Sequence, residues 1–218
     1  MKILIDNGHG VNTGGKCSPD KRLREYAYTR EIAKMLVEKL VNAGYDAERI
    51  VTEEIDVSLG ERCRRVNRVC DKLGAKNVIF VSIHIDAAGS GGVWRTAGGW
   101  SAFTSRGQTK ADIIAEYLYD SAKIHLAKYA QIMAEGQNAG IYDKKQKPFR
   151  TDKSDGDSDH EAGFYVLVHT KCSAVLTENL FQDNKRDVEF LLSDEGKNTI
   201  VDLHFDGITN YIKKKVKK

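Results

Sequence analysis

Apolar residues fall along this chain in two patterns, dense short runs and spaced stripes, and their alternation predicts the architecture. Ile3-Leu4-Ile5 and Val78-Ile79-Phe80-Val81-Ser82-Ile83 are short and nearly continuous, as buried strands are. Between them Ile32, Leu36 and Leu40, with Ala33, Met35 and Val37 beside them, predict an amphipathic helix over about residues 23–43, ended by Gly44. A strand near residues 47–52 and a helix over about 58–73 complete a βαβαβ order. Further along, residues 89–99 form a glycine-rich loop and 101–104 carry a weaker strand signal. Ile113, Ile114, Leu118 and Ile124 mark one long helix over 110–135, and the polar stretch 144–161 reads as loop. Strand character returns at 163–168 and 174–177, and a last helix over about 194–213 carries Ile200, Leu203, Ile208 and Ile212.

This order implies a three-layer α/β fold, a mostly parallel sheet of about six strands flanked by helices, with ligands gathering beyond the strands' carboxyl ends. With 218 residues and no internal repeat, the expectation is one domain over 1–218 with a basic tail from about residue 213. That tail reads as a frayed helix end placed at the negative pole of the helix dipole.

Charge and cysteines narrow the function classes. A formal charge of +3 is too small to argue for nucleic acid, and no apolar stretch is long enough to cross a membrane. Met1-Lys2 leads straight into the first strand, so no signal peptide is expected. Cys17, Cys63, Cys70 and Cys172 lack metal-finger spacing and are expected as free thiols, Cys63 and Cys70 sharing a core face one heptad apart.

The chemistry sits where strands end. His9 follows the first strand inside Gly8-His9-Gly10, His84 closes the second apolar run, Glu25 falls in the first turn of the first long helix, and Glu178 ends the strand 174–177. Two histidines and a carboxylate form a common shell for one catalytic Zn2+ with a position open to water. In such a site Glu178 is the candidate base that takes a proton from the attacking water and returns it to the departing amine. Each residue also has an ordinary reading: His9 as a turn residue, His84 as a sheet-edge histidine, Glu25 as a carboxylate favoured by the helix dipole, Glu178 as a salt-bridged strand end. Asp6 and Asp86 are candidates for orienting the ligand side chains or for shaping the pocket. His125, His160, His169 and His204 have no ligand spacing, and His160 is assigned to a solvated loop. Trp94 and Trp100 flank the glycine-rich loop as sugar-stacking candidates, with core packing the commoner role.

Ile5-Asp6-Asn7-Gly8-His9-Gly10, Arg24-Glu25-Tyr26, Ser82-Ile83-His84-Ile85-Asp86 and Thr177-Glu178-Asn179-Leu180-Phe181, followed by Asn184 and Asp187, together resemble the zinc-dependent N-acetylmuramoyl-L-alanine amidase family, the amidase type 3 catalytic domain. The resemblance covers nearly the whole chain. It implies His9, Glu25 and His84 as zinc ligands, Glu178 as the catalytic carboxylate and a twisted mixed sheet. It also implies peptidoglycan or muropeptides as substrate, cut between the lactyl group of N-acetylmuramic acid and L-alanine. Asn179 departs from the small residue the family usually places after the glutamate, and residues 89–161 follow the family only loosely. With no export signal expected, the implied setting is a phage-type lysin acting on the cell wall, or a chain trimmed of its signal. Two other functions stay open. One is a zinc peptidase or amidohydrolase on small peptides, with Arg95, Arg106 or Arg150 holding a terminal carboxylate; the other is a non-catalytic wall-binding module.

Overall fold

The computed structural model describes residues 1–90 and 92–216. Strand β1 (Lys2–Asn7) leads to helix α1 (Glu25–Asn42), β2 (Asp46–Arg49), α2 (Leu59–Leu73) and β3 (Val78–Asp86). Then come β4 (Trp100–Thr104), α3 (Lys110–His125), α4 (Ala127–Asn138), β5 (His160–Glu161), α5 (Tyr165–Val168), β6 (Ser173–Phe181), α6 (Lys185–Leu192) and α7 (Asp194–Val216). They build a six-stranded sheet in the order β2-β1-β3-β6-β4-β5. β2, β1, β3 and β6 run parallel; β4 lies antiparallel to β6, and β5 runs parallel to β4. The three-layer, mostly parallel reading therefore holds.

Side chains alternate along each strand, and that alternation assigns two cores. Ile3 and Ile5 of β1, Ile79, Val81, Ile83 and Ile85 of β3 and Val175 of β6 face the larger one, shared with α1, α3, α4, α6 and α7. Leu4, Val78, Phe80, Ala174 and Leu176 face the opposite way, covered only by α2 and α5. Because α2 and the four-residue α5 leave the carboxyl ends of the strands partly bare, a cleft opens on that face. Helix ends are set locally: Ser58 caps α2 by accepting from Glu61 N–H, Thr109 and Asp112 form a capping box on α3, and Asn184 caps α6.

Several sequence expectations change. Residues 163–168 are not a strand: Tyr165–Val168 closes one helical turn, with Val166 and Leu167 buried against the smaller core. A run this short carries no period to distinguish the two. The long helix breaks at Leu126, whose ψ of 16° leaves helical geometry although Leu126 N–H still reaches Ala122 O. Strand β6 does not end at Glu178 but continues to Phe181. The loop 144–161 holds β5 at its end, and His160 is half-buried there, stacked on Phe103. Cys63 and Cys70 are buried free thiols, as is Cys172, while Cys17 is half-buried. Helix α7 runs through the expected tail to Val216, and Lys217 and Lys218 lie outside the described residues.

Candidate active site

Strands β1 and β3 are neighbours in register, Asn7 opposite Ile83, so the chain leaving β1 meets the end of β3 at once. Gly8 N–H donates to Ile83 O at 3.0 Å, and His9 follows with φ of 62°, held in the left-handed region between two glycines. His84 stands directly opposite Glu178 in the β3–β6 register. Both are even-numbered positions of the face that carries Phe80 and Leu176, so both side chains point toward the open face. Glu25 arrives from the other direction, at the first turn of α1, where Glu25 N–H is tied to Lys16 O at 3.0 Å.

These segments bring three donors together. His84 Nδ1 lies 3.2 Å from Glu25 Oε1, and His9 Nε2 lies 3.4 Å from Glu25 Oε2. The imidazoles are edge-on with centroids 5.2 Å apart, and one donor atom from each residue falls within 4.8 Å of the others. A tetrahedral shell with bonds of roughly 2.0–2.1 Å separates its donors by about 3.4 Å, so the spacing suits a small divalent ion. Glu25 is 1% exposed; its Oε1 accepts Ile85 N–H at 3.0 Å, while Oε2 is sealed from solvent with no hydrogen-bond donor. A buried carboxylate oxygen left without a donor is costly unless a cation meets it. Burial works against ionisation of Glu25, but the His84 contact and the charge of both imidazoles outweigh it and hold the carboxyl well below the usual range. Burial also opposes a charged His84, and Glu25 reverses that, raising its pKa.

Glu178 is half-buried on the wall of a cleft of about 390 Å3 that also meets His9, His84, Lys16, Phe164 and Tyr165. Its Oε2 has no hydrogen-bond partner among the described residues. Burial lifts the Glu178 carboxyl to about 8, with His84 opposing and Asp86 and Glu25 adding to the rise.

Asp6 lines the cleft, in keeping with the pocket-shaping reading, but the orienting of the imidazoles falls to other residues. Neither Asp6 nor Asp86 bonds to an imidazole: Asp6 receives the Ser82 hydroxyl at 2.7 Å and pairs with Arg62, and Asp86 pairs with Arg150. Arg62, buried at 2% exposure, holds the His9 loop, donating to Asn7 O at 2.8 Å and His9 O at 3.2 Å. Its sequence signal is position: it stands four residues before Val66 on the apolar stripe of α2. Asn179 is a second support. Its Nδ2 donates to His84 O at 2.9 Å and its Oδ1 accepts from Trp100 Nε1 at 2.9 Å, which makes Trp100 a fully buried core residue. Trp94 is partly buried against the larger core.

A profile of the N-acetylmuramoyl-L-alanine amidase family matches residues 3–210. The endolysin of Bacillus phage SPP1 is 29% identical over 219 residues, covering 99% of this chain and 67% of that protein. The N-acetylmuramoyl-L-alanine amidase CwlM of Bacillus licheniformis is 28% identical, covering 95% of this chain and 67% of its own length. The crystal structure of an N-acetylmuramoyl-L-alanine amidase from Clostridium difficile 630 superposes with a TM-score of 0.73 at 20% identity, covering 98% of this chain and 97% of the other, and so shares the fold. Since the matched span takes in His9, Glu25, His84 and Glu178 within one continuous fold, the chain belongs to the N-acetylmuramoyl-L-alanine amidase family.

Proposed function

We propose that this peptidoglycan amidase hydrolyses the amide between the lactyl group of N-acetylmuramic acid and L-alanine as a single catalytic domain over residues 1–218, holding one Zn2+ on His9, Glu25 and His84 and using Glu178 to carry the proton. The observation that carries this reading is the convergence of both imidazoles on a buried carboxylate whose second oxygen has no donor. When bound, zinc acidifies water and polarises the scissile carbonyl. Glu178 then takes the proton of the attacking water on its carboxylate and delivers it to the nitrogen of the leaving L-alanine, so the amine departs neutral. A carboxyl lifted by burial holds that proton long enough to give it back. Val57, Leu59, Phe164 and Tyr165 give the cleft apolar walls beside Glu178. No helix among the described residues is long and apolar enough to cross a membrane, and the likeness to a phage endolysin supports a lysin that acts on the cell wall.

The small-peptide alternative needs a cation for a terminal carboxylate; Arg95, Arg106 and Arg150 lie off the cleft, and Lys16 is the lysine on its wall. Digestion of purified peptidoglycan with the zinc-loaded protein, read by mass spectrometry, separates the readings. Stem peptides with a free L-alanine amino group are expected, lost on chelation and restored by zinc. Glu178→Gln should keep its zinc yet lose roughly 100-fold or more of the rate. A Glu178→Gln variant as active as the parent would remove Glu178 from the mechanism, and wall binding without cleavage would favour the binding module.

A further inference from the structure

The cleft leaves Trp94 and the start of α6 without a role. Unlike Trp100, Trp94 is only half-buried, and it lines a cavity of about 450 Å3 with Arg95, Ile141, Lys185 and Arg186. The cavity lies at the carboxyl end of the sheet, where β4 begins and α6 follows β6. It shares no lining residue with the cleft that holds Glu178. Asn184, fully buried, ties its walls together: Nδ2 donates to Arg95 O and to Ile141 O, each at 3.2 Å, and Oδ1 accepts the Arg186 and Asp187 N–H groups. Arg95 N–H adds a bond to Asp183 O at 2.6 Å. These backbone groups are already spent, so the cavity is offered charge by side chains alone.

That charge is unbalanced. Lys185 and Arg186 open the first turn of α6, the positive pole of the helix dipole, where cations are disfavoured. The acids nearby are engaged elsewhere: Asp187 is fully buried on the Tyr129 and Tyr142 hydroxyls, and Asp183 accepts the Ala88 and Gly89 N–H groups. Arg186 reaches Glu189 only at 3.6 Å, with both side chains exposed, and no carboxylate among the described residues pairs with Arg95 or Lys185. Three cations beside an indole suit a ligand that joins negative charge to a sugar face. Peptidoglycan does not join the two, because its lactyl groups are uncharged where stems are attached and its stem carboxylates come without a ring. We propose that this cavity binds a phosphate-bearing glycan of the cell wall, a sugar ring lying on Trp94 and its phosphate held by Arg95, Lys185 and Arg186. The site goes beyond the amidase reading and stands on binding alone; it holds the chain on the wall while the cleft, at the same end of the sheet, meets the stems.

The test titrates phosphate-bearing glycan, extracted from purified walls, into the full chain at about 0.15 M salt and follows tryptophan fluorescence. Trp100 is fully buried, so a saturable change reports Trp94. The double variant Lys185→Gln, Arg186→Gln should bind about tenfold or more weaker, as loss of charge-assisted hydrogen bonds requires. Lys213→Gln, Lys214→Gln removes the same charge from the exposed end of α7 and should bind as the parent does. Both double variants should cleave soluble muropeptides at the parent's rate, and a parent that cleaves none would count against the amidase reading while leaving this binding test intact. No saturable change in the parent would overturn the site, as would equal weakening in the two double variants. So would dephosphorylated glycan that binds as tightly as the intact one, or inorganic phosphate alone that gives the full response at matched phosphate.

Discussion

At the residue scale the candidate centre depends on two glycines whose roles differ by what their missing side chains would strike. A Cβ on Gly8 would lie 2.4 Å from His84 Cε1 and 2.5 Å from its Nδ1, inside the ring it must leave free. A Cβ on Gly10 would lie 2.0 Å from Asp56 N, against backbone that cannot swing aside. Gly8→Ala is therefore expected to displace the imidazole while the fold survives, weakening zinc about 10–100-fold as loss of a supporting contact does. Competition against a zinc-binding dye measures that, and retained parental zinc affinity would show that His84 has slack. Gly10→Ala should instead lower Tm, because the β1 loop and the turn at Asp56 can no longer touch. Gly14→Ala, with nothing within 4 Å of the added carbon, is the matched control and should change neither.

At the element scale the β1 loop is fastened to α2 by a single buried guanidinium. Arg62 pairs with Asp6 at 1% exposure, donates to Asn7, His9 and Val57 carbonyls, and reaches Asp56 Oδ1 at 3.0 Å. Arg62→Met keeps the stem volume but strands Asp6 as a buried charge, and removing one partner of such a pair costs about 3–5 kcal/mol. Urea denaturation should show that loss, with part of it recovered in the Asp6→Asn, Arg62→Met double variant; a single-variant loss under about 1 kcal/mol would mean that the pair is not what fastens the loop. This fastening also marks where sequence reading stops. His9, His84 and Glu178 were legible because each follows or ends an apolar run, and Glu25 because it opens an amphipathic helix. Arg62, Asn179 and Trp100 act through partners remote in sequence, which no local period reports. The same holds for elements. α1, α2 and β3 are long enough to show their periodicity, whereas α5 is one turn, β5 two residues and α6 two turns. The extension of β6 past Glu178 was hidden by Leu180, whose φ of 64° bends the strand, and by the register shift between His84 and Asp86.

At the scale of the whole molecule, packing of α7 against the sheet sets how stability responds to acid. His204 on α7 is fully buried; Nδ1 lies 2.7 Å from Ile200 O, and Nε2 lies 2.9 Å from Thr177 Oγ1. Thr177 Oγ1 in turn accepts Asn179 Nδ2 at 3.2 Å, so the chain of hydrogen bonds runs from the helix to the residue that supports His84. With Nδ1–H donating to the Ile200 carbonyl and Nε2 accepting the Thr177 hydroxyl, the ring is placed as a neutral imidazole. Burial pushes its pKa down to about 4, against the hydrogen bond to Ile200. Between the unfolded value of about 6.5 and the native value the unfolded chain takes up a proton that the folded chain refuses, so stability falls as pH falls through that window. The full loss is roughly 3 kcal/mol, complete only near pH 4. Asp187, lifted by burial to about 7, works in the opposite sense, because the folded chain there holds a proton the unfolded chain releases. A raw pH profile would mix these with the lifted Glu178 and the lowered Glu25, and a difference removes the mixture. Urea denaturation of the parent and of His204→Phe near pH 7 and again near pH 4.5 shares the Asp187 contribution, and that of any bound metal, between both proteins. The parent should lose about 2–3 kcal/mol more than the variant over that interval. Equal losses would mean that His204 protonates in the folded state as readily as in the unfolded chain, and that α7 admits the charge without opening.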